Sequence, residues 1–437
     1  MIQYRELAQL SNDERRLLMR RAETDIRSLL PVVQEVVDQV RACGDEALVS
    51  FARRWDCAEF DASLLRASDE DFVAAREAVS DEVIAAIEAA HDNIRKFHRK
   101  QVPEEMWFSE LQPGVMAGEK VTPIASVGLY VPRGKGAFPS VMLMLATPAR
   151  VAGVPRVVVV TPPAPDGRAD PGTLVAAQIC SIDEVYVVGG SQAIAALAFG
   201  TETVPQVDKV VGPGNQYVSA AKRLLYGDID VGLPAGPSEA VILCDEGADP
   251  RLAALDLLVE AEHGPDSAAL LLTHSRSVAD GVLEVLRGLI DELPAWRREF
   301  VARVLSGYGG ILLTQSLDDS IAFVNDYAPE HLELLTDEPF VTLNRIQNAG
   351  EILLGPLTPI PLANYCLGLN AILPTGGFAR SFSSVSVHDF LKRSGVAYLS
   401  REGYERLQGV AITLADYEDF PAHALALRRR NEIFSHE

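Results

Sequence analysis

Beyond Pro123 the chain alternates short β-branched runs with helical stretches, and this alternation restricts its fold more than any other feature. RVVVVT (156–161), EVYVVGG (184–190) and KVVGPG (209–214) are the first runs, and MLMLATPARVAG and GSQAIAALAFG lie near them with helical texture. Strands joined through helices build a parallel sheet covered on both faces. A second set follows in AVILCD (240–245), SAALLLTHS (267–275), GILLTQ (310–315), HLELLT (331–336) and GEILLG (350–355). Helical segments such as DPRLAALDLLVEAEH separate some of these. The expected class is α/β, with two parallel-sheet units. The first hundred residues read as helices. Ser11, Asn12 and Asp13 offer a cap before ERRLLMRRAE, and apolar residues recur at helical spacing over 25–40 and 81–97. From Val385 the texture is mixed and polar, ending in a basic helix around ALRRRN.

Composition narrows the function. The chain has 437 residues, with 39 basic against 61 acidic side chains and a net charge of −22. That balance disfavours nucleic acid or an anionic membrane as partner, because phosphate binding runs on clustered Lys and Arg. A small anionic substrate needs only one or two local cations and stays open. Cys43, Cys57, Cys180, Cys244 and Cys366 are odd in number and widely spaced, with no C-x-x-C. They argue against a disulfide framework or a thiolate metal site, and for a reducing compartment. The charged start MIQYRELAQLSNDERR lacks a leader-like apolar core, and no apolar run reaches membrane-span length. A soluble, cytoplasmic protein is expected.

The dinucleotide fingerprint G-x-G-x-x-G is absent: Gly134, Lys135 and Gly136 supply a first pair without the third glycine. GGSQ (189–192) and GPGN (212–215) follow strands, where such turns let a ligand approach the backbone, though each is as readily a structural turn. In EAEHG, Glu260 and His263 stand three apart near a helix end and can reach one ion, or can be an ordinary surface pair. Glu330 and His331 open a strand. An adjacent acid and imidazole can serve two proton transfers, yet neighbours on a strand point to opposite faces. His423 follows Phe420, Pro421 and Ala422, and His388 is ambiguous. His91, His98, His274 and His436 read as structural or solvent-facing.

Taken together, these segments resemble the histidinol dehydrogenase family over most of the chain, from about Val127 to His423. The resemblance is carried by GLYVPRGKGAFPSVMLMLATPARVAGV, VGGSQAIAALAFGTETVPQVDKVVGPGNQYV, LPAGPSEAV, EAEHGPDS, NDYAPEHLEL and NAILPTGG. It implies a zinc- and NAD-dependent oxidoreductase that takes an alcohol through an aldehyde to a carboxylate with two NAD. It also implies two incomplete Rossmann-like units with small terminal segments, in an intertwined homodimer. On that basis 1–25 is an N-terminal helical segment and 26–128 joins 239–384 as the domain carrying the metal. Residues 129–238 form the second α/β domain, and 385–437 a dimerisation tail.

The resemblance puts dinucleotide contacts at Tyr130, Gln192 and Asn215. It puts substrate contacts at Ser238, Glu418 and Asn364. His331 would take the hydroxyl proton, and Glu330 would activate the water that attacks the aldehyde. The metal set would be Glu260, His263, Asn364 and His423, the last from the partner subunit. Departures from the family pattern are informative. The family has a glutamine at Glu260 and an aspartate at Asn364, so one amide and one carboxylate remain with positions exchanged. Two imidazoles, a carboxylate and an oxygen donor still suit zinc. A substrate-holding glutamate becomes Ile360, and a substrate-facing histidine becomes Ala371. Arg133, Lys135 and Arg380 lie in or near the same motifs and could hold an anion or be solvated charges. The expected substrate is therefore a small polar or anionic primary alcohol, such as a sulfonated diol. L-Histidinol is the alternative.

Overall fold

The computed structural model describes residues 2–21, 26–133 and 136–434. Its strands are β1 (Tyr4–Glu6), β2 (Met106–Gln112), β3 (Val115–Pro123), β4 (Ser126–Tyr130), β5 (Arg156–Thr161), β6 (Val185–Val187) and β7 (Lys209–Val211). They continue with β8 (Glu239–Cys244), β9 (Ala268–Thr273), β10 (Gly310–Leu313), β11 (His331–Leu335), β12 (Glu351–Leu354) and β13 (Leu391–Leu399). The chain divides into two compact units, Met1–Val102 with Ile124–Phe390, and Pro103–Pro123 with Leu391–Glu437.

The larger unit holds two parallel sheets, as the alternation predicts. One has the order β6-β5-β4-β7 and the other β1-β10-β9-β8-β11-β12. Strands β8 and β9 are buried at every residue, which is why they read as unbroken apolar runs rather than alternations. Each such Val, Leu or Ile contributes about 1.5–3 kcal/mol when fully buried. In the four-stranded sheet the chain order reverses between β4 and β7, which opens a crevice at their carboxyl ends.

Three expectations are corrected by the packing. Residues 1–25 are not purely helical, because Tyr4–Glu6 pairs in parallel with β10 at a sheet edge. The helix expected over 25–40 runs further. Leaving aside Asp25, which lies outside the described residues, a short 3-10 turn precedes a helix from Leu30 to Trp55 that kinks at Gly44. The grouping of 26–128 with 239–384 also differs from the structure. Val33, Val37, Leu48, Phe51, Ile87 and Ile94 enter the same apolar core as Val127, Leu129, Val158 and Leu197, the core of the four-stranded sheet.

The smaller unit is an antiparallel sheet, β13-β3-β2, followed by helices Arg401–Tyr417 and Pro421–Phe434. The polar texture after Val385 concealed the nine-residue strand β13.

Candidate active site

A cavity of about 1330 Å³ lies between the two parallel sheets of the larger unit. Its lining includes Tyr130, Gln192, Asn215, Ser238, His263, Glu330, His331, Asn364 and Ala371. One wall is made by turns leaving the carboxyl ends of the four-stranded sheet. The other is made by residues just before, or at the start of, β8, β9 and β11 in the six-stranded sheet.

The first wall is built from strand-to-helix turns. Helix Gly190–Phe199 follows β6 after a short turn, and helix Gln216–Leu225 follows β7 after the GPGN turn. Their first N–H groups lack intrahelical partners and favour an anion. The Asn215 side chain caps the second helix, accepting from the N–H groups of Tyr217 (3.0 Å) and Val218 (3.1 Å). That occupies its oxygen and leaves its amide N–H₂ to face a ligand. The buried Tyr130 hydroxyl accepts from the Gly190 N–H at 3.0 Å, and burial pushes the phenol up to about 12. Gln192 is buried, with an Oε1 that has no partner. Gly212 holds φ +135°, and a Cβ there would strike the Tyr130 carbonyl. Only glycine lets GPGN pass so close to β4.

The second wall carries the acid and the imidazole. Glu330 lies just before β11, outside the strict alternation of the strand, so it and His331 both face the cavity. His331 Nε2 is 3.8 Å from Glu330 Oε1. Glu330 Oε2 accepts from the Glu239 N–H at 2.7 Å. Burial pushes the Glu330 carboxyl well above its ordinary range, and Glu260 and Glu239 add to the rise against the opposing pull of His331. Burial alone would lower His331. Glu330, Glu351 and Glu260 outweigh it and raise the imidazole to about 10. The third acid, Glu351, meets His331 Nδ1 at 2.6 Å.

Glu260 and His263 follow from one helix. Asp249 caps Pro250–Ala261 by accepting from the Arg251 N–H at 2.9 Å, and Pro250 sits in its first turn. Ala253, Ala254, Leu257, Leu258 and Ala261 pack into the core. The last turn therefore delivers Glu260 fully buried, with neither carboxylate oxygen hydrogen-bonded. His263, just past the helix end, places Nδ1 3.4 Å from Glu260 and donates it to the Val259 carbonyl at 2.9 Å. That hydrogen bond leaves Nε2 free as a ligand atom. Asn364, on helix Ile360–Tyr365, has a buried and unpartnered Oδ1 beside the same cavity. A buried carboxylate, a free imidazole nitrogen and an amide oxygen are a donor set that fits a divalent cation. No cluster of three or more His, Cys, Asp or Glu forms among the described residues. The remaining donors of the expected set, Asn364 apart, are this Glu–His pair and His423.

His423 and Glu418 belong to the smaller unit and are exposed there. Glu418 ends helix Arg401–Tyr417, and the His423 ring stands 5.1 Å from that of Phe420. Ser238, half-buried, lines the cavity just before β8. The three cations fare differently. Arg133 lines the cavity, Lys135 lies outside the described residues, and Arg380 is tied to the Asp326 carbonyl instead of the cavity. Ile360 packs fully buried into the apolar core, whereas Ala371 lines the cavity. His98 is structural as expected, with ring nitrogens against Gln101 (2.7 Å) and Asn370 (3.2 Å). His274 pairs with Glu246 at 2.8 Å, and His436 lies outside the described residues. Sequence reasoning missed Glu351 and Glu239. GEILLG reads as a strand, but nothing local says that it pairs with HLELLT. Glu239 is in turn held by the buried Arg21 at 3.2 Å.

Two parallel sheets with strand-to-helix turns on one side of a cavity and a buried acid–imidazole pair on the other define an α/β protein with a candidate active site between its sheets. The family description "Histidinol dehydrogenase" matches residues 19–431. The chain is 54% identical over 428 residues to a histidinol dehydrogenase of Synechocystis sp., covering 98% of this chain and 99% of the relative. It is 53% identical to a histidinol dehydrogenase homolog of Cereibacter sphaeroides, over 98% and 97% of the two chains. It superposes on the crystal structure of histidinol dehydrogenase from Elizabethkingia anophelis with a TM-score of 0.93, at 33% identity and 99% coverage of both chains. This chain belongs to the histidinol dehydrogenase family, NAD-dependent oxidoreductases acting on an alcohol group.

Proposed function

We propose that this protein oxidises a primary alcohol through its aldehyde to the carboxylate, and that L-histidinol is the alcohol. The relatives named as histidinol dehydrogenases in Synechocystis sp. and Methanothermobacter thermautotrophicus, at 54% and 44% identity, favour that substrate. One observation carries the chemistry: Glu330 and His331 share a cavity with the turns at Gly190 and Asn215. Tyr130, Gln192 and Asn215 line the place where a dinucleotide would bind. Glu260, His263 and Asn364 would hold zinc, with His423 supplied by a second copy of the chain. When bound, NAD accepts hydride and zinc polarises the reacting oxygen while offsetting the charge of Glu260.

The residues of the chain then divide the proton work. His331 takes the hydroxyl proton at Nε2 as hydride leaves the carbinol carbon, acting in its neutral form, which is favoured once the charge of Glu260 is offset. Glu330 takes a proton from the water that adds to the aldehyde, acting in its ionised form. His331 gives its first proton to solvent; the hydrated aldehyde then loses a second hydride, with His331 again taking the hydroxyl proton. One water is consumed and two NADH are formed. Ser238 contacts the substrate at the cavity wall.

A small anionic alcohol is the second reading. Ala371 offers no imidazole to the cavity, Ile360 offers it no acid, and Arg133 lines it. The experiment is NADH formation by zinc-loaded protein with L-histidinol and, separately, with dihydroxypropanesulfonate. Two NADH per L-histidinol support the proposal. Turnover of the sulfonate alone moves the assignment to the second reading, and silence on both removes it. Glu330→Gln is expected to lower the overall rate by about 10²–10⁴-fold.

A further inference from the structure

We infer that Glu351 is a positioning residue for His331, holding the ring so that Nε2 is the atom presented to the substrate. The inference rests on the reading of His331 as the proton acceptor. It comes from strand register. β11 and β12 are parallel neighbours, and His331 stands directly opposite Glu351, so the two side chains leave the same face of the sheet. The Glu351 N–H donates to the Glu330 carbonyl at 2.9 Å, which fixes the register at that point. Glu351 Oε1 then meets His331 Nδ1 at 2.6 Å, with both side chains 5% exposed.

A carboxylate only accepts, so the proton of this bond lies on Nδ1. The ring is then pinned, and Nε2 is left toward the cavity and Glu330. An acid that fixes the tautomer and orientation of a working imidazole is a recurrent device. Stability does not account for Glu351. Its second oxygen is buried without a partner, and a buried ion pair is generally no more stable than apolar side chains of the same volume. The groups facing His331 from neighbouring elements are Glu330, Glu351 and Glu260, with Glu333 next along β11. Glu351 alone among them hydrogen-bonds the ring.

The test has two readouts. In ¹⁵N-histidine-labelled protein, the Nδ1 proton of His331 should give a strongly downfield proton resonance that is absent from His331→Asn. Glu351→Gln, nearly isosteric, should move that resonance upfield. It should also lower kcat by about 10–100-fold with KM essentially unchanged. Glu351→Asp, which keeps the charge, should recover part of kcat. A wild-type spectrum without the resonance overturns the inference even if no variant folds. So does folded Glu351→Gln with an unaltered kcat. If the wild type oxidises neither alcohol, the reading of His331 as base fails, while the resonance still reports whether Glu351 holds the ring.

Discussion

At Glu260 and Asn364 a carboxylate and an amide have exchanged positions relative to the pattern the resemblance implies, and the two sites are not equivalent. Glu260 is fully buried at a helix end with neither oxygen hydrogen-bonded. Asn364 presents one buried oxygen beside the cavity. A carboxamide oxygen carries less negative charge than a carboxylate oxygen and binds a divalent cation more weakly. Asn364→Asp is therefore expected to tighten zinc binding on the order of tenfold, about 1.4 kcal/mol. Competition with a chelator, read as metal content, measures it. Equal retention by variant and wild type would mean that residue 364 does not touch the metal. The Glu260–His263 pair was legible in the sequence because its spacing is local. The partner of His331 was not, since Glu351 is twenty positions away and becomes its neighbour only through the pairing of β11 and β12.

Among elements, the buried parallel strands were the most legible, because burial on both faces leaves an unbroken β-branched or leucine-rich run. Strand β2 was illegible for the opposite reason: all seven residues are exposed, so no alternation marks it. Strand β13 follows a polar stretch and gains its identity only by pairing with β3, far away in sequence. The turn after β7 shows a further element-level effect. Lys222, on helix Gln216–Leu225, is buried and donates to the Gly212 carbonyl, bracing the turn that Asn215 caps. Burial lowers its amine from 10.5 to about 8. Between those values the unfolded chain keeps a proton that the folded chain has released, so stability must rise with pH from about 8 to 10.5. Lys222→Met removes that slope. Urea denaturation of both proteins from pH 7 upward should show wild type gaining on the variant by up to about 3 kcal/mol by the top of that window. A constant difference would mean that the amine is not desolvated.

For the whole molecule, the smaller unit raises the question of what completes it. Its buried apolar residues are few, with Val115, Val121 and Ala424 among them. Trp107, Phe108, Leu111, Tyr398, Leu414 and Tyr417 are exposed. Apolar exposure on this scale is what an association surface would cover, and a second copy of the chain is the partner that the proposed supply of His423 requires. A closed twofold dimer makes that proposal testable without a structure of the complex. Glu330→Gln leaves His423 intact, and His423→Ala leaves Glu330 intact. If each site takes His423 from the other subunit, a mixed dimer has one site with both defects and one with neither. Random reassortment of equal amounts makes half the dimers mixed, so activity should return to about a quarter of wild type. The measurement is NADH formation after dissociating and reassembling the two inactive proteins together, with wild type through the same cycle as control. Recovery requires a site shared between subunits. A mixture that stays silent while the control recovers would place His423 outside the partner's site.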